Sequence, residues 1–232
     1  MYPRIRAMSL RQRGFTLVEL AIVLLILTIL FAALTIPLRG RLEAMRRQQT
    51  ADMLEDIQAA LTGFAIIHRR LPCPTTVQDP AAASYGLEEI VGGQCAGSQE
   101  GMLPWRTLGL PAFDVWGSPR THQADPWSGF WRYRVDGNYA RPGTTITTTT
   151  SPGDAIGVVD RNGHDLTATG QEAVALIYST GPDLQPNGQN ASFESASNSR
   201  YEHGEPTTTF DDMVVWIGRP LLLARMAQAG AL

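Results

Sequence analysis

The sequence predicts an α+β fold: one long amino-terminal helix packed on a small antiparallel sheet with a disulfide-stapled loop. Three observations carry this expectation. Residues 15–38 form an apolar run whose only ionisable group is Glu19. A periodic apolar pattern continues beyond that run, and three short strand-like segments follow an irregular region rich in Pro and Gly that holds both cysteines.

The apolar run is long enough to define its own environment. At about 1.5 Å per residue, a helix over 15–38 is roughly 36 Å long and spans a hydrocarbon core of about 30 Å with some tilt. Arg4, Arg6, Arg11 and Arg13 precede it without any acid, against Arg39 and Arg41 beyond it. This bias favours a cytoplasmic amino terminus and an outward-facing remainder. An ordinary secretory signal has its small-residue cleavage site after the apolar stretch, where residues 31–34 offer a poor one. Glu19 marks the run as more than an anchor, because a carboxylate at membrane depth costs about 2.5 to 3.5 kcal/mol and needs a partner.

Past the membrane segment, Leu42, Met45, Met53, Ile57, Leu61 and Phe64 recur at helical spacing, with a polar face that includes the Arg46–Arg47 pair, read as solvated. Pro37 removes one backbone donor and is a site for a kink. The helix is expected to end near Arg69–Arg70, before Pro72. Residues 72–117 then read as a loop stapled by Cys73 and Cys95, since an even thiol count in an exported domain favours a disulfide, worth about 3 kcal/mol. Trp105, Trp116 and Trp127 are read as loop anchors in preference to a sugar-binding platform. Strands are expected over 130–135, 173–178 and 213–217, with a threonine-rich flap or hairpin over 143–150 and a terminal helix over 220–229 that opens on Pro220.

Composition narrows the function classes. The chain of 232 residues has net charge −3, and the part beyond the four amino-terminal arginines is more acidic still, so nucleic acid is not an expected partner. All 19 basic residues are arginine, for which we have no functional account. His68, His122, His164 and His203 fall in no metal-ligand spacing, and no nucleophile elbow, Cys/His pairing or phosphate loop is present, so no enzyme is expected. His164 and Asp165 in the 160–165 turn are read as exposed turn residues. One candidate cation site stands out: Asp183, Gln185, Asn187 and Glu194 follow the spacing of a twelve-residue calcium loop, departing from it with Gln at the third position and Pro186 at the fourth. Such Asx-rich turns also occur without metal.

Gly14, Phe15, Thr16, Leu17, Val18 and Glu19, followed by an apolar helix, resemble the prepilin signal of type IV pilins and type II secretion pseudopilins. The resemblance implies a pilin-like fold and cleavage between Gly14 and Phe15 by a membrane prepilin peptidase that methylates the new terminus. It also implies pairing of Glu19 with the terminal amine of a neighbouring subunit. The 125–133 segment, the 177–183 segment and Asp211–Asp212 are similar in order to patterns of major pseudopilins, while the stapled loop, the 136–170 insertion and the final helix depart from them. This likeness implies a second calcium ligand set: Asp183, a backbone carbonyl and Asp211 or Asp212. The expected organisation is a cleaved leader (1–14), a membrane and assembly helix (15–38), its amphipathic continuation (39–70) and a globular part (71–232). The expected role is a filament subunit of the bacterial inner membrane with a periplasmic domain. Its partners would be other pilins, a platform protein and a separate assembly ATPase; a membrane-anchored enzyme or a binding or adhesin protein is the alternative.

Overall fold

The computed structural model describes residues 16–96, 100–117, 127–192 and 199–232, with the backbone alone over 32–39. Two compact units emerge, residues 1–45 and 46–232, and the division falls inside a single helix, α1 (Leu17–His68). Its backbone stays helical across Pro37 and Gly40. In the first unit the large apolar side chains of α1 are exposed, from Leu17 at 88% to Phe31 at 67%.

In the second unit the same helix is amphipathic. Leu54, Ile57, Leu61 and Ala65 are no more than 1% exposed and lie on one face at steps of three and four. The buried stripe therefore begins near Thr50 rather than at Leu42 or Met45, both of which are more than half exposed. The helix terminates at Arg69, which adopts the left-handed conformation (φ 59°) while its amide still bonds the Ala65 carbonyl at 2.9 Å. Its guanidinium donates to the Ala231 carbonyl and its own carbonyl accepts from Ile146 N at 2.8 Å, so this cap ties three distant segments together.

The stapled region is more regular than expected. It contains a minimal hairpin, β1 (Ile90–Val91) with β2 (Gln94–Cys95), then β3 (Glu100–Met102) and one helical turn, α2 (Trp105–Leu108). The Cys73–Cys95 disulfide is present with Cα atoms 5.2 Å apart and Cys73 buried. A central antiparallel sheet follows the order β3, β4 (Arg132–Val135), β6 (Ala173–Ser179) and β8 (Met213–Gly218). Three of these strands match the expected segments; β3 was not expected.

Between β4 and β6 lie a short turn, α3 (Gly137–Ala140), and β5 (Gly157–Val159), which pairs in parallel with β7 (Arg200–Glu202). This pair covers the face of the sheet opposite α1. Tyr133, Val135, Ala175, Ile177 and Ile217 join α1 residues in one core, whereas Leu176, Tyr178 and Val214 join Ile156, Val158 and Tyr201 in another. Every residue of β6 is buried in consequence, which explains its unbroken apolar sequence. The 143–150 segment is no flap: Ile146 is buried, and Arg219 donates to the carbonyls of Thr148 and Thr150 at 2.7 and 2.9 Å. The last helix, α4 (Arg219–Gln228), opens with Pro220 and buries Leu222 and Met226, one turn apart.

Candidate functional site

Two places gather the residues singled out from the sequence: the start of α1 and an acidic loop at the end of β6. At the first, Thr16 precedes the helix, accepts the Leu20 amide at 3.1 Å on its carbonyl and the Glu19 amide at 3.2 Å on its hydroxyl. Thr16 is thus the amino-terminal cap, with Glu19 three residues later in the position of a capping box. A carboxylate there also opposes the positive end of the helix dipole. Glu19 is exposed in the single chain. Gly14 and Phe15 lie outside the described residues.

The acidic loop is built by glycine. Gly181 has φ 64°, and a Cβ on it would lie 2.6 Å from the Asp211 carbonyl oxygen and 2.8 Å from its carboxyl carbon, so only glycine lets the β6 exit pass Asp211. Asp183 then folds an Asx turn: one carboxylate oxygen accepts from Gln185 N at 2.8 Å, the other from Asn187 Nδ2 at 3.1 Å. Asn187 spans the gap to the segment just before β8, donating its amide to Asp212 at 2.8 Å and accepting the Asp211 amide at 2.9 Å. Asn190 Nδ2 reaches the same Asp212 oxygen at 2.8 Å, and Asp183 N donates to Asp211 at 3.3 Å.

This geometry separates the two predicted ligand sets. Asp183, Asp211 and Asp212 converge, although 28 residues separate the first two. The twelve-residue set does not converge in the same way. Asn187 spends its side chain on internal hydrogen bonds and Glu194 lies outside the described residues. Among the described residues, Asp211 Oδ1 and Asp212 Oδ1 are buried and find no hydrogen-bond partner. Their electrostatics agree: burial and then the Asp183 charge push Asp211 up to about 6, with Arg47 opposing. Burial likewise pushes Asp212 up to about 7 against the bonds from Asn187 and Asn190. Two orphaned buried carboxylate oxygens beside a third carboxylate suit either shared protons or a hard cation. Among the described residues, no group of three or more His, Cys, Asp or Glu is arranged to hold a metal ion as it stands.

A polar cluster escaped sequence reasoning. Glu100 on β3 is fully buried between Arg132 and Arg134 at 4.0 and 3.8 Å, and accepts from Tyr178 at 3.4 Å and from the Tyr201 hydroxyl. Burial raises its carboxyl to about 7 despite these partners. Residues 130–135 alternate large and charged side chains, and the β5–β7 pair closes over the face that carries Arg132 and Arg134. The aromatic candidates resolve against a sugar platform, since Trp105 and Trp116 are buried. The Arg46–Arg47 pair is not simply solvated: both guanidinium groups lie over the Trp116 ring, at 5.7 and 5.9 Å from its centroid. His164 is exposed and pairs with Asp160 at 3.0 Å, as a surface turn should.

Comparison with known proteins bears on the amino-terminal segment. Residues 9–35 match the prokaryotic N-terminal methylation motif, the signature of type IV pilins and pseudopilins, and the match contains Gly14, Phe15 and Glu19. The motif implies a membrane-anchored, pilin-type structural subunit, processed by prepilin peptidase and assembled with other pilin subunits. Among the described residues, no helix is long and apolar enough to cross a membrane; 15 and 32–38 of the apolar run lie outside the side chains described. No curated protein and no solved structure matches the chain.

Proposed function

We propose that this protein is a pseudopilin or minor pilin of a type II secretion pseudopilus or a related type IV pilus-like filament. It is held in the bacterial inner membrane before assembly, with its globular unit in the periplasm. The observation that carries this reading is the methylation motif at the head of a helix whose large apolar side chains are exposed in the isolated chain. Such a surface needs lipid or other subunits to cover it. Cleavage before Phe15 would create an amine four residues before Glu19, and a neighbouring copy's amine would neutralise that carboxylate. An inner-membrane platform protein and a separate cytoplasmic ATPase would supply the assembly force. Replacing Glu19 by Leu tests the reading: leader cleavage persists while incorporation into filaments is lost. An unchanged filament content would contradict it.

The acidic loop has a supporting role in the same reading. Asp183, Asp211 and Asp212 would hold calcium, which satisfies the two orphaned oxygens and pins the loop of residues 181–192 to β8. The observed Asn187 and Asn190 bonds keep those carboxylates in place. Addition of calcium would raise the melting temperature of the full chain in detergent, and Asp211→Asn would remove most of the rise. Equal melting temperatures with calcium and with chelator would exclude this role.

A further inference from the structure

The globular unit begins at Arg46, and its first two residues make an unusual contact. The guanidinium groups of Arg46 and Arg47 both lie over the indole of Trp116, which is buried. Each such contact is attractive, and more so when partly desolvated. Thr50 ties down the same turn, its buried hydroxyl donating to the Arg46 carbonyl at 2.9 Å.

Trp116 is in turn held from behind. Asp114 accepts the amides of Trp116 and Gly117 at 3.1 and 2.7 Å, and the Ser179 hydroxyl at 2.6 Å. A Cβ on Gly117 would lie 2.6 Å from the Gly129 Cα, so this turn is closely seated on residues 128–130. Ser179 closes β6 and receives the amide of Gly181 at 3.2 Å, the residue that packs against Asp211. Contacts therefore run without a break from the first helical turn of the unit, through Trp116, Asp114 and Ser179, to the acidic loop.

We propose that Arg46, Trp116 and Arg47 form a clasp that fixes the first turn of α1 in the globular unit and couples that turn to the acidic loop at Gly181–Asp211. In the filament reading, on which its purpose rests, the clasp lets a force on the helix reach the globular unit. The clasp itself is independent of that reading, and of any bound ion, because it is made by protein groups alone. Coupling through such a chain requires a measured response at both ends.

Hydrogen exchange followed by mass spectrometry on the full chain in detergent micelles provides that measurement. Trp116→Leu, and separately the conservative double change Arg46→Gln with Arg47→Gln, should speed exchange of amides 46–52 about tenfold. Both should also speed exchange over 181–190, while amides of β4 and β6 stay protected. Trp116→Phe should restore part of the protection at both ends. Unchanged exchange at 46–52 in the arginine variant, which alters no core residue, would overturn the clasp. A change confined to 46–52 would overturn its link to the acidic loop. Neither outcome depends on filament formation, which the Glu19→Leu variant tests by itself.

Discussion

Two halves of one helix obey opposite rules. Before residue 46, α1 exposes its large apolar side chains; after Thr50 it hides a narrow stripe and shows the rest to solvent. What differs is the available partner: the sheet supplies one for Leu54, Ile57 and Leu61, while the first half must find its partner outside the chain. Local sequence thus makes the helix, and the surroundings decide what each stretch is for.

The comparison can be broken most sharply with matched truncations. Leu61→Ala should cost the globular unit about 2 to 5 kcal/mol, and Leu25→Ala should leave it unchanged, as read by urea unfolding in detergent. A smaller but still large effect is expected from the disulfide. Cys73→Ser with Cys95→Ser should destabilise the globular unit by about 2 to 4 kcal/mol, with faster proteolysis between them.

Buried carboxylates give the second unit a pH response of its own. Asp212 and Glu100 are raised to about 7, Asp114 and Asp211 to about 6, burial being the first cause in each. A carboxyl whose folded value exceeds its unfolded value of about 4 binds more protons when folded, so its ionisation opposes folding. In the absence of divalent cation, stability should therefore fall as pH rises from about 4 to 7 and level off above. Asp212→Asn should flatten part of that decline, which equilibrium unfolding at a series of pH values will read. Least affected should be Arg219→Ala: it frees the threonine-rich segment at a cost of about 1 kcal/mol and speeds amide exchange over 146–150.

Much of this arrangement is legible in the residues. β6 and β8 announce themselves by apolar runs, β4 by its alternation of large and charged side chains, and α4 by Pro220. By contrast, β3, β5 and β7 are three residues each, with Glu, Gly and Arg among them, and their pairing is nonlocal. Single-segment reasoning cannot see a parallel pair between residues 157 and 200. The same blindness hides the Glu100 cluster, because Arg132 and Arg134 carry the alternation of an exposed strand face until the insertion covers them. At the acidic loop, spacing pointed to Asp183, Gln185, Asn187 and Glu194. The convergence of Asp183 with Asp211 and Asp212 came instead from likeness to pseudopilins, since it depends on how β6 and β8 lie together. The sequence marks Glu19 as a membrane carboxylate that needs a partner, and the Thr16 cap adds a local reason for its position.

The central claim is that the first half of α1 is a processed assembly segment. Intact mass and amino-terminal sequencing of the protein from its native membrane, with and without the prepilin peptidase, test it most directly. The account predicts a peptidase-dependent chain beginning at N-methylated Phe15. A chain left uncut, or cut after Ala33, would contradict it and return the exposed apolar half of the helix to the status of a simple anchor or signal.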